Sequence, residues 1–159
     1  MWKKQRAGRL AWAAVLALTT GCSGGPPPQS PGVPDDPLAP CPGSPNCVSS
    51  EAAAVEQRVE PLRYEGEAAR ARARLLEVVN GMARARTVRS ADDYLHAEFR
   101  SAVFAFVDDV EFHFGPPGTI QVRSASRTGY YDFGVNRERV ETIRARFAAS
   151  PNAAGTSAR

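Results

Sequence analysis

Hydrophobic positions along this chain change rhythm several times, and each rhythm predicts a different element. Leu10–Leu18 is an unbroken apolar run behind four cations, Lys3, Lys4, Arg6 and Arg9. From Ser23 to Pro40 (SGGPPPQSPGVPDDPLAP) no apolar period exists at all. Glu67–Met82 places Leu75, Val79 and Met82 on one stripe among strong helix formers, which predicts a helix. After a short apolar piece at Thr87–Val88, where a strand begins, the period drops to two.

That alternation predicts the sheet. Tyr94–Arg100 puts Leu95, Ala97 and Phe99 on one face and Tyr94, His96, Glu98 and Arg100 on the other. Val103–Phe114 follows, with apolar even positions (Phe104, Phe106, Val110, Phe112, Phe114) and a polar odd end (Asp109, Glu111, His113). Asp108 breaks this pattern by falling on the apolar face, so it needs a partner there or a bulge that turns it out; Arg127 and Arg137 are the expected partners. Gly115-Pro116-Pro117-Gly118 is a turn, and Thr119–Ser124 a further strand with Ile120 and Val122 inward. With that turn, Glu111 falls opposite Arg123, which predicts a cross-strand ion pair. A last helix, capped by Asn136, buries Val140, Ile143 and Phe147.

Helix, three or four consecutive strands, helix is an α+β arrangement. We expect an antiparallel meander flanked by an N-terminal and a C-terminal helix on one sheet face, the other face being polar and turned to water.

The leader changes how composition is read. A basic cluster, a short apolar run and small residues form a secretory signal, and the run is too short to cross a bilayer. It ends Thr19-Thr20-Gly21-Cys22, which is similar to a bacterial lipobox, although Thr19 stands where leucine is usual. Cys22 is therefore the expected lipidation site; conventional cleavage near residues 19–21 is the alternative. The expected organisation is signal peptide 1–21, lipidated Cys22 with a Pro/Gly tether 22–40, one globular domain 41–148 and a polar tail 149–159. The spacer reads as semi-extended, at about 3 Å per residue.

Without residues 1–21 the basic excess vanishes, because the formal charge of +3 includes the four leader cations. Past the leader every cation is arginine, and no basic stripe suggests nucleic-acid binding. Setting Cys22 aside, Cys41 and Cys47 remain as a pair in an oxidising compartment, which reads as a disulfide. A Cys2His2 metal set with His96 and His113 is the alternative, and no local spacing supports it.

Two clusters could carry chemistry. Tyr94, His96, Glu98, Asp109, Glu111, His113 and Arg123 share one predicted sheet face, where carboxylates and histidines could serve acid–base work; a solvated face with complementary charges is the simpler reading. The segment Arg123-Ser124-Ala125-Ser126-Arg127-Thr128-Gly129-Tyr130 offers guanidinium and hydroxyl groups for a carboxylate or phosphate, and it leads into the N-terminus of the last helix. The candidate ligand-binding residues are accordingly Arg123, Ser124, Ser126, Arg127, Asn136, Arg137, Asp108 and Asp109. A structural corner is the alternative use of the same groups. No G-x-S-x-G elbow, P-loop, dinucleotide fingerprint or zincin motif is present, and no catalytic residue, metal or cofactor is assigned.

Four segments in order, CPGSPNCVSS (41–50), SADD (90–93), YLHAEFRSAVFAFVDDVEFHF (94–114) and VRSASRTGYYDFGVNRERVE (122–141), resemble the bacterial and plastid family catalogued as domain of unknown function 1499. That resemblance implies an exported or membrane-associated protein and carries over no activity or site residues. The expected function is a membrane-tethered envelope lipoprotein with a small non-catalytic binding or interaction domain, facing the periplasm or exterior. Its partners would be the membrane through the anchor and an envelope protein or small anionic ligand, with no nucleic acid. A small envelope enzyme, metal-assisted or not, using Asp108, Asp109 and Arg123–Arg127, is the alternative.

Overall fold

A computed structural model describes residues 38–102 and 104–150 of the chain. The expected signal peptide, the expected lipidation site Cys22, the expected tether as far as residue 37 and the expected tail from residue 151 lie outside the described residues. In chain order the elements are β1 (Cys47–Ser49), β2 (Leu62–Arg63), α1 (Ala68–Asn80), β3 (Ala85–Ser90), β4 (Tyr94–Arg100), β5 (Val107–His113), β6 (Thr119–Ser126) and α2 (Val135–Ala149).

Among the described residues the architecture is α+β: two α-helices, a single 3-10 turn at Val55–Gln57 and an antiparallel sheet of six strands, not three or four. Strands β3 to β6 pair consecutively, and β1 and β2 share the free edge of β6. Cys47–Ser49 covers Ala125–Arg123, whereas Leu62–Arg63 covers Ile120–Thr119. Ser50 fills the gap between them: its backbone N–H donates to Val122 O, its hydroxyl donates to Gln121 Oε1 and accepts from Val122 N. The edge of β6 is thus satisfied by three short pieces of one irregular segment, as buried backbone groups require. None of these pieces is long enough to show a period, which is why hydrophobic patterning misses them.

The period of two sorts the strand residues. Leu95, Ala97 and Phe99 of β4, Val110 and Phe112 of β5, and Ile120 and Val122 of β6 are buried in the same core as Leu75 and Val79 of α1 and Val140, Ile143 and Phe147 of α2. Burying each of these Val, Leu, Ile and Phe side chains contributes about 1.5–3 kcal/mol before entropic costs. The predicted strand Val103–Phe114 begins only at Val107, however, and Phe104 and Phe106 stand 71% and 52% exposed in the β4–β5 connection. Their even parity is a property of an extended chain, and Ala105 between them has left the extended region (φ 53°).

The start of α2 also differs from the expectation. Asn136 is not the cap but lies inside the first turn, fully buried. Asp132 does the capping, its Oδ1 accepting from Gly134 N at 3.0 Å and its Oδ2 from Asn136 N at 2.9 Å. Gly134 makes this entry possible, because at φ 81° a side chain would be strained.

Candidate functional site

The predicted site residues divide between the two sides of the sheet, because neighbours on a strand point to opposite faces. Asp108 and Asp109 make the division plain. Asp108 points to the helix side with Ser124 and Ser126; Asp109 points to the other side with Arg123 and Arg127.

On the helix side Asn136 is the hub. Its amide nitrogen donates to Asn46 O, Ser126 Oγ and Asp132 Oδ2 at 3.0, 3.1 and 2.9 Å. Its amide oxygen accepts from Ser124 Oγ and Arg139 Nη1, each at 2.6 Å. The Asp108 carboxylate is met by Arg139 Nη2 at 2.5 Å, not by Arg127 or Arg137. The helix explains this correction: Arg139 lies three residues beyond Asn136, so it faces the sheet with it. Arg137 instead turns outward and donates to the backbone oxygens of Arg58 and Glu56.

On the opposite side Arg127 binds two carboxylates at once. Its Nε and Nη2 donate to Asp109 Oδ2 and Oδ1, both at 2.7 Å, and Nη2 donates to Glu98 Oε1 at 2.6 Å. Glu98 also accepts from Arg86 at 2.8 Å, and His96 Nε2 lies 2.7 Å from Asp109 Oδ1. Beside them Glu111 faces Arg123 in register, accepting from its Nη1 at 2.8 Å and from the Tyr94 hydroxyl at 2.6 Å.

This face was expected to meet water, yet Tyr94, His96, Glu98, Asp109, Glu111 and Arg123 are all buried. The reason is mutual compensation, since each carboxylate has at least one guanidinium donor. Burial alone would push the Glu98 carboxyl up, but hydrogen bonds from Arg86 and Arg127 outweigh it and hold the group below its ordinary value. Asp109 behaves alike: burial raises it, and the bonds from Arg127 and His96 bring it lower. Arg127 is held above the usual arginine value, first by its bonds to Asp109, against the opposing effect of burial.

Chemically the arrangement is a charge lattice. The loop arginines that could have held an anion hold carboxylates of the same chain instead. Cys41 and Cys47 are bonded to each other, with Cα atoms 5.6 Å apart, so neither thiol is free to join His96 and His113 around a metal. A groove of about 560 Å³ opens beside β1, lined by Leu38, Pro40, Gly43, Ser49, Ala52 and Gln57 among others. Cys41 of the disulfide lines it, but none of the predicted ligand-binding residues does.

Two features escape the sequence reading. Arg139 could have been found from its place beside the Asn136–Val140–Ile143 stripe. The exposed rings Tyr130, Tyr131 and Phe133, at 72%, 62% and 88%, had a signal in being aromatic residues with no period.

A protein-family model described as "Protein of unknown function (DUF1499)" matches residues 37–147, and the chain belongs to that family. No curated protein and no solved structure matches.

Proposed function

We propose that this member of the family is a cell-envelope lipoprotein, tethered to a membrane through Cys22, whose globular domain binds or interacts without catalysing a reaction. The observation that carries the reading is the leader, in which a cationic and apolar run ends at Thr20-Gly21-Cys22 ahead of a Pro/Gly spacer. The Cys41–Cys47 bond supports export, because disulfides persist in oxidising compartments. Among the described residues no helix is long and apolar enough to cross a membrane; this reading assigns attachment to lipid at Cys22. Two or more acyl chains anchor stably, whereas one gives only marginal binding.

The non-catalytic part of the reading is supported by where the polar groups go. A catalytic site needs a group free to meet substrate, whereas Arg127 bonds Asp109 and Glu98, and Arg139 bonds Asp108 and Asn136, all within this chain. Their role in this reading is to hold β4, β5, β6 and α2 in one rigid frame, leaving recognition to the surface. Metabolic labelling with a radioactive fatty acid tests the anchor. The wild-type chain should incorporate label and stay with the membrane fraction, and Cys22→Ser should lose both; unchanged membrane retention would overturn the lipid assignment.

A further inference from the structure

We infer that one end of the sheet docks directly on an anionic phospholipid surface, through aromatic rings on the β4–β5 and β6–α2 connections and arginines beside them. This deepens the tethered reading, since it assigns the domain a second contact with the membrane that carries its anchor.

The two connections leave the same end of adjacent strands. Asp108 of β5 pairs with Ser126 of β6, and Arg127 N donates to Val107 O at 3.0 Å, so the chain before residue 107 and the chain after residue 127 run out side by side. The first carries Phe104 and Phe106, stacked with ring centres 5.5 Å apart. The second carries Tyr130, Tyr131 and Phe133, with the last two edge to face at 5.3 Å. All five are more than half exposed. The chain has 11 Phe and Tyr residues in total, so nearly half of them are gathered in solvent at one end. Phe133 holds its position with a left-handed backbone (φ 57°), and Ala105 does the same between the two phenylalanines. Exposed apolar clusters of this kind mark interaction sites.

Charge decides which partner fits. Arg84 and Arg100 meet at this end, with Arg100 N donating to Arg84 O and Arg84 Nε to Arg100 O. The side chains of Arg86 and Arg100 are 66% and 54% exposed. Of the acids at this end, Glu98 and Asp109 are buried and Asp132 accepts the hydrogen bonds that cap α2, while Glu138 in the first turn of α2 is exposed. The outward surface therefore combines tyrosine, phenylalanine and arginine, the composition suited to the headgroup level of a bilayer. There rings enter the acyl boundary, while hydroxyl and guanidinium groups meet phosphate.

The path of the chain agrees. Cys41 is bonded to Cys47, Cys47 pairs with Ala125 at the end of β6, and Asn46 Nδ2 donates to Gly129 O, next to Tyr130. A chain arriving from Cys22 meets the domain at Leu38, buried in the groove beside β1, and three residues on reaches Cys41 next to this end. The fifteen residues between Cys22 and Leu38 could reach about 50 Å, enough slack for this end to lie on the bilayer.

The test uses residues 22–159 with Cys22→Ser, which keeps the mature chain and removes the lipid acceptor. This protein should float with vesicles of phosphatidylglycerol and phosphatidylethanolamine, and float less with neutral phosphatidylcholine vesicles or at high salt. Phe104→Ser/Tyr130→Ser/Phe133→Ser, at three exposed positions, should keep its circular dichroism spectrum and bind at least about tenfold more weakly. Trp2 and Trp12 both precede Cys22, so Tyr131→Trp would be the sole tryptophan of the mature chain. Its emission should shift to the blue on anionic vesicles and be quenched by brominated acyl chains. Failure to float on anionic vesicles, or floating unaffected by the triple substitution, would overturn the inference. So would a solution dimer abolished by that substitution, with vesicle binding unchanged, which would make the surface a protein interface. Because this chain carries no lipid, its result is independent of fatty-acid labelling at Cys22, and either claim can fail alone.

Discussion

Replacing Arg127 with methionine tests whether the buried charge lattice is a structural frame. The substitution keeps most of the apolar stem and removes the guanidinium, and with it three charge-assisted hydrogen bonds of 2.6–2.7 Å. Glu98 and Asp109, with side chains 7% and 3% exposed, would remain buried with less compensation. Breaking a buried pair by removing one partner costs about 3–5 kcal/mol. Here Glu98 keeps Arg86 and Asp109 keeps His96, so we expect the lower end, about 3 kcal/mol. Urea unfolding of the disulfide-intact domain reads this as a fall in midpoint at unchanged slope.

The pH dependence supplies a second readout with a defined sign. Both carboxyls titrate below their ordinary values in the folded wild type. Their contribution is complete above the unfolded values, near pH 4, and is lost as pH falls through the lower folded values. In the methionine variant, burial without Arg127 raises both groups, so acid neutralises them sooner. The gap between wild type and variant should therefore narrow steadily from neutral pH into the acid range. A neutral-pH loss below about 1 kcal/mol, or a gap that stays constant on acidification, would refute the reasoning. Adding Asp109→Asn to Arg127→Met should recover part of the loss, since it removes a charge left without its main partner.

Three further outcomes follow from the same contacts. Asn136→Ala removes both ends of a fully buried amide engaged with Asn46, Ser124, Ser126, Asp132 and Arg139, and should cost about 3 kcal/mol, seen as a lower thermal midpoint. Arg137→Ala, whose bonds to the Arg58 and Glu56 oxygens are exposed, should change stability by no more than about 0.5 kcal/mol in the same assay. Reducing the Cys41–Cys47 bond, which closes a loop with sequence separation 6, should cost about 2 kcal/mol, measured as the urea midpoint with and without reductant.

Legibility tracked the length of each regular element. Tyr94–Arg100 is seven residues of strict alternation, enough to set strand, face and neighbour at once. The Glu111–Arg123 pairing also follows from strand parity and one turn, and the two residues are cross-strand partners in the sheet. By contrast Cys47–Ser49 and Leu62–Arg63 hold three and two residues, and their strand character exists only because β6 offers an edge. The candidate site was half legible. The residues were polar and close in sequence, but a cluster read along a strand takes no account of the sheet passing between its members.

By itself, the sequence determined the helices, the main strands and which residues share a face, and it supplied the basic and apolar leader pattern on which the proposed export rests. Those properties depend on neighbours along the chain, and a period of two or 3.6 carries them directly. Tertiary structure decided the rest: that Asp108 meets Arg139, that Arg127 joins Glu98 to Asp109, and that the polar face is buried. It also gathered five separate aromatic residues at one end. Each of these depends on groups far apart in the chain, and burial of a charge is tolerated only once its partner is in place.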